Sequence, residues 1–233
     1  MPTTIVCDKC RTTISPAHGL GIPKQEKGIR PALALPYELN VHATVNASNS
    51  TVLLTFTNTG EATAVFHVRS GNPADVVRTY TVEPGKQLDG VWNVASSYDL
   101  SVYGPNGFLR SFKGSIGAGA AALDVASQYD TQGRGSIVLA ITNTSDVPAE
   151  VSVLDAYTGK SSTKTHRPHR RKTHEPQHTF KDKFALDRFG GWYDLIVTVA
   201  GDPSFRYQLA GHVETGKEGI SDPAIGGVVT LKS

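Results

Sequence analysis

Cysteine is almost missing from this chain: Cys7 and Cys10 are the only two in 233 residues, and both lie at the extreme N-terminus. One neighbouring pair cannot make a disulfide framework, so any fold must hold by packing and hydrogen bonding. No run of 18 or more apolar residues occurs, which excludes a membrane-spanning helix. The first 30 residues lack the apolar core of a signal peptide, so nothing in this chain is expected to direct its own export. Charge of one sign is lacking too. Lys and Arg number 23 against 21 Asp and Glu, a formal +2. No overall field draws the molecule to nucleic acid, and any basic surface must be local.

Catalytic signatures are absent as well. There is no His-Glu-x-x-His and no Gly-x-Ser-x-Gly, and Gly159-Lys160-Ser161 is no phosphate loop because Leu154 stands where the upstream glycine belongs. No catalytic, cofactor-binding or metal residue is assigned, and the chain alone is not expected to be an enzyme.

What is present is turn-rich and strand-rich. Hydrophobic residues at 39% with 23 Gly and 13 Pro suit a folded protein better than a disordered tail. Residues 1–35 carry scattered Pro and Gly without periodicity and read as a linker or leader. From Tyr37, the residues Tyr37, Leu39, Val41, Ala43 and Val45 alternate with Glu38, Asn40, His42 and Thr44, the mark of a half-buried strand. Short runs follow at 51–58, 64–69, 76–82, 86–92, 98–103 and 108–113, separated by turns such as Glu83-Pro84-Gly85 and Gly104-Pro105-Asn106-Gly107. About seven short strands in roughly 80 residues predict an all-β, immunoglobulin-like antiparallel sandwich.

The second half repeats the first. Val52 to Thr59, ending Thr57-Asn58-Thr59, is echoed by Ile137 to Thr144, ending Thr142-Asn143-Thr144. Trp92 followed by Tyr98-Asp99-Leu100 is matched to Trp192-Tyr193-Asp194-Leu195, and Phe108 to Gly114 is matched to Phe205 to Gly211. Two tandem sandwiches are therefore expected, at 36–116 and 123–215, with a joint at 117–122 and a tail at 216–233. Recurrence of the tryptophans and of Tyr98 and Tyr193 argues for core packing rather than ligand stacking. Tyr103 and Phe108, flanking a turn in the first copy, are the better candidates for exposed contacts.

An insertion at 160–178 sets the second copy apart. His166, His169, His174 and His178 have spacings at which neutral imidazoles can ligate zinc or copper, but Pro168 and Pro176 disfavour a scaffold and the neighbouring cations oppose a metal. Contact with anionic phosphate by Lys164, His166, Arg167, His169, Arg170, Arg171 and Lys172 is the stronger candidate, against an inert solvated loop. Cys7-Asp8-Lys9-Cys10 has the spacing of half a zinc site or a redox pair, against a leader with adventitious thiols.

The strings Pro36-Tyr37-Glu38-Leu39-x-Val41-His42 and Tyr98-Asp99-Leu100-Ser101-Val102-Tyr103-Gly104-Pro105-Asn106-Gly107-Phe108 resemble the C-terminal region of bacterial phosphocholine-type phospholipases C. Ile22-Pro23-Lys24-Gln25-Glu26-x-Gly28-x-Arg30-Pro31-Ala32 is similar to the connector leading into that region. The resemblance implies that hydrolysis of phosphatidylcholine or sphingomyelin belongs to a large N-terminal domain, similar to acid phosphatases, of which this chain has no matching residue. It implies an accessory module, extracellular or periplasmic as part of its parent enzyme, whose partners are the catalytic domain and phospholipid headgroups or another anionic surface. A sugar-binding or adhesive module is the alternative.

Overall fold

The computed structural model describes residues 26–117, 119–132, 135–168 and 179–233. Cys7, Cys10, His18 and the stretch from His169 to His178 lie outside the described residues.

Among these residues the fold is antiparallel β throughout, apart from one 3-10 turn at Asp187–Phe189. The first copy has β2 (Leu39–Asn46), β3 (Thr51–Asn58), β4 (Ala64–Ser70), β5 (Arg78–Val82), β6 (Lys86–Asn93), β7 (Ser97–Tyr103) and β8 (Leu109–Ser115). The second has β9 (Leu123–Asp130), β10 (Ser136–Asn143), β11 (Ala149–Asp155), β12 (Lys160–His166), β13 (Thr179–Ala185), β14 (Trp192–Val199) and β15 (Asp202–His212). β1 (Pro31–Ala32) and β16 (Gly219–Ile220) pair with each other. Alternation selects the buried face, as in β3, where Val52, Leu54 and Phe56 are wholly buried and the intervening residues are not.

Each copy is a sandwich of three strands on four, β2-β3-β6 in the first and β9-β10-β13 in the second forming the smaller sheets. The four-stranded halves do not stop at the copy boundary. They join edge to edge through β8 and β15 into one eight-stranded sheet, ordered β12-β11-β14-β15-β8-β7-β4-β5. Pairing β8 with β15 removes two sheet edges at once, which leaves less template for association with other chains. The register makes the joint symmetric. Ser111 faces Gln208, its own counterpart in the repeat, while Phe112 faces Tyr207 and Arg110 faces Leu209. A local two-fold therefore relates the copies. The small sheets meet over it, where His42 Nε2 lies 2.5 Å from Asp124 Oδ1 and Asn40 Nδ2 donates to the Ser127 carbonyl at 2.7 Å.

The repeated motifs have physical reasons. Asn58 donates to the Ala62 and Val82 carbonyls and accepts from Gly60 N–H, and Asn143 donates to the Val147 and His166 carbonyls and accepts from Ser145 N–H. Gly114 and Gly211 stand directly across from Tyr98 and Tyr193. A β-carbon at Gly114 would come within 2.4 Å of the Tyr98 hydroxyl, so glycine lets the ring lie across the strand.

The tryptophan match does not survive. Trp92 sits on β6 opposite Val52, and the corresponding residue opposite Ile137 is Phe184 on β13. Trp192 opens β14, where the first copy has Ser97. Its Nε1 donates to the Ile220 carbonyl of the tail at 2.8 Å. Both tryptophans are buried, as expected, but for different reasons. Phe108 is buried too, at 6% exposure, which corrects its assignment as an exposed contact; Tyr103 is exposed at 45%.

The segment read as a leader is tied down from Gly28 onward. Gly28 N–H donates to the Gly226 carbonyl, Ser221 N–H to the Arg30 carbonyl, and Leu35 N–H to Glu214 Oε2.

Candidate functional site

The basic segment of the second copy enters the fold as β12, an outer edge strand of the large sheet paired to β11. Lys160 to Thr165 carry hydroxyls and ammonium groups instead of an apolar alternation, which is how an edge strand avoids further pairing. Lys164 Nζ forms an ion pair with Asp182 of β13. Arg167 is exposed just beyond the strand.

His166 departs from the expectation. It is 2% exposed, its ring lies 4.5 Å from that of Phe180, and it occupies the position that Val82 takes in the first copy. Burial lowers the pKa of its imidazole, which favours the neutral ring. It is not a headgroup contact. His169, Arg170, Arg171 and Lys172 lie outside the described residues, so of the seven candidates the structure places three and leaves Arg167 exposed, Lys164 half-committed to Asp182 and His166 inside. Among the described residues no group of three His, Cys, Asp or Glu side chains is arranged to hold a metal.

Motif searching missed the seam between the copies. On one side of the two-fold Arg110 is fully buried with no carboxylate partner. Its Nη2 donates to the Tyr129 hydroxyl at 2.6 Å and the Tyr193 hydroxyl at 3.1 Å, its Nη1 to the Leu109 and Ala210 carbonyls, and its carbon centre lies 4.4 Å from the Phe108 ring. Arg cannot shed its proton, so four oxygens and an aromatic face replace water around a permanent cation. The Tyr129 hydroxyl donates a hydrogen bond to the Leu39 carbonyl at 2.8 Å, which ties β9 to β2. Beside this network Glu214 accepts from Asn106 Nδ2 at 2.7 Å and contacts His212 Nδ1 at 3.0 Å. It also accepts from Leu35 N–H, so the entering chain is latched here. A cavity of about 20 Å³ remains, room for about one water.

The two-fold mate of that network is different. Tyr207 replaces Arg110 and bonds the Tyr98 hydroxyl at 2.9 Å. Above this pair is a cleft of about 410 Å³ between β2 and the 115–124 segment, with the His42–Asp124 pair among its lining. A signal for the asymmetry did exist in the sequence: aligning 108–114 with 205–211 sets an arginine against a tyrosine at equivalent positions. A third concavity, about 580 Å³, lies at the loop end of the first copy, lined by Asn72, Asp75, Asn93, Tyr98, Asp99 and Lys113.

Residues 31–115 and 123–212 each match the family described as bacterial phospholipase C, C-terminal domain. The chain belongs to this family. The non-hemolytic phospholipase C of Burkholderia pseudomallei is 39% identical over 216 residues, covering 90% of this chain and 30% of the relative. The non-hemolytic phospholipase C of Pseudomonas aeruginosa is 36% identical over 218 residues, and its hemolytic phospholipase C 33% identical over 234, each covering 88% of this chain and 30% of the relative. The chain thus spans about 30% of the length of these relatives, and it resembles the C-terminal part of a phospholipase C and not its catalytic part. A structure of the receptor tyrosine kinase Torso aligns over 78% of this chain and 74% of its own at 10% identity, with a TM-score of 0.26, too slight a likeness to carry argument. Both copies of the phospholipase C domain fall inside the match, so the strands that pair across the two-fold, β8 and β15, lie within the family's own region.

Proposed function

We propose that the chain acts as a non-catalytic accessory module of a secreted bacterial phospholipase C, supporting the catalytic region and holding it at a phospholipid surface. Hydrolysis of phosphatidylcholine or sphingomyelin belongs, in this reading, to the region preceding the module. The observation that carries it is the latched entry. Pro31–Ala32 pairs with Gly219–Ile220, and Leu35 N–H is held by Glu214. Residues 28–35, by which the chain enters the module, are therefore held to it at several points, as a positioning role requires. The edge strand β12 and its continuation supply the surface contact through Lys164, Arg167, His169, Arg170, Arg171 and Lys172, since cations beside a membrane attract anionic headgroups without needing a rigid scaffold.

Co-sedimentation with phosphatidylcholine vesicles, with and without anionic lipid, tests the surface contact. Binding that requires anionic lipid and weakens between low and high salt is expected, and replacing Arg167, Arg170, Arg171 and Lys172 together by Ser should remove it. Failure to sediment under any condition would leave support of the catalytic region as the role. The cleft at the loop end of the first copy favours a second reading, a binding module for carbohydrate or protein, because its amides, carboxylates and ammonium group are of the kind that hold polar ligands. Saturable sugar binding perturbing Asn72 and Asn93 would establish it.

A further inference from the structure

The two sides of the copy–copy seam are built from equivalent residues and filled differently. Where the closed side has Tyr129, the open side has Val45; where it has Tyr37, the open side has Ala121; where it has Glu214, the open side has Gly117. Two tyrosine rings and a carboxylate arm are thus exchanged for small side chains, and the free space rises from about 20 Å³ to about 410 Å³. Cores normally pack without such voids. A cleft of that size is in the range of small-ligand pockets.

Its chemistry is specific. The walls are methyl-bearing: Ala43, Val45, Ala47, Ile116, Ala121 and Leu123. Apart from the His42 imidazole at the rim, the aromatic ring among the lining residues is that of Tyr98, which is buried and whose hydroxyl is already engaged by Tyr207. Flat aromatic ligands and sugars alike lack an open aromatic face to stack on there, and the hydroxyls of Ser115 and Thr144 are already engaged by Ser204 and the Ala122 carbonyl. A flexible aliphatic chain needs neither. His42 and Asp124, with side chains 33% and 49% exposed, mark the wet edge where a polar end of such a molecule would remain in water.

We propose that this cleft is a binding site for one acyl chain, taken from a single-chain amphiphile with its polar head left at the His42–Asp124 rim. The proposal deepens the accessory reading by naming what the module holds, but it uses a different surface from the basic edge strand. Vesicle binding driven by Arg167 and its neighbours can therefore fail while this site stands, and the reverse.

The test uses the whole chain with its alanine methyl groups carbon-13 labelled, titrated with dodecanoic acid and, separately, with lauroyl lysophosphatidylcholine, both below their micellar concentrations. Saturable one-to-one shifts of the methyls of Ala43, Ala47 and Ala121 are expected for both, because the chain and not the head is recognised. Val45→Tyr rebuilds the closed side's own solution and should weaken binding at least tenfold while the melting temperature holds or rises. Ala121→Tyr does the same from the opposite wall, so one misfolded variant does not remove the test. Absence of saturable shifts, equal binding by both folded variants, or stronger binding of indole than of dodecanoic acid would each overturn the proposal.

Discussion

At the residue scale, burial separates look-alikes that a sequence cannot. Trp92 and Trp192 are the only tryptophans, and both precede a Tyr-Asp-Leu string, yet Trp92 plugs the first sandwich at 1% exposure while Trp192 is a post for the tail. Trp92→Ala is expected to cost about 3–5 kcal/mol, the usual range for emptying an aromatic from a core. Chemical denaturation of the variant checks this, and an unchanged midpoint would refute the core role. The Thr-Asn-Thr echo, in contrast, was readable in full, because one asparagine bridging two carbonyls and an amide is a local device whose partners arrive with the adjoining turn. His166 was not readable. It ends a strand without apolar alternation, and only the pairing of Ala149 with His166 turns its ring inward, onto Phe180.

At the element scale, strand positions were legible from alternation and turn chemistry, since each is decided within a few residues. β3 spans the 51–58 stretch read from the sequence, and β5 begins two residues later than read. What short-range pattern could not give was the pairing of β1 with β16, because both are two residues long and lie 188 positions apart at Pro31 and Gly219. The tail is held by hydrogen bonds of both kinds: the Tyr157 side chain donates to Asp222 at 2.7 Å, the Trp192 side chain to the Ile220 carbonyl, and the Lys232 backbone N–H to the Ala156 carbonyl at 2.9 Å. With the bonds from Gly28 N–H to Gly226 and from Ser221 N–H to Arg30, these make five at about 1 kcal/mol each, so deleting residues 219–233 should cost roughly 5 kcal/mol. The same deletion should free residues 26–32 to exchange their amide protons rapidly, measured by hydrogen–deuterium exchange. Slow exchange there after deletion would mean that Glu214 alone holds the entering chain.

At the scale of the whole molecule, duplication was visible but fusion was not. Two sandwiches of seven strands each follow from the repeat, whereas nothing in β8 or β15 announces that their edges meet, since either strand is an equally good edge on its own. The consequence is thermodynamic. Eight strands share one ladder, and buried Arg110 of the first copy depends on Tyr129 and Tyr193 of the second, so neither copy can unfold without stranding a charge or opening the sheet. Scanning calorimetry should therefore show one transition, where separable domains would give two. The seam also sets how that transition responds to alkali. Burial raises the pKa values of Tyr98 and Tyr207 above 10.0 in the folded state. The unfolded chain loses these protons near pH 10 while the folded chain keeps them, so the stabilisation is complete below pH 10 and is lost as pH climbs toward the raised values. Each tyrosine should then remove up to about 1.4 kcal/mol per pH unit. Tyr207→Phe should flatten the slope above pH 10, and an unaltered slope would show that the Tyr98–Tyr207 pair does not govern alkaline unfolding.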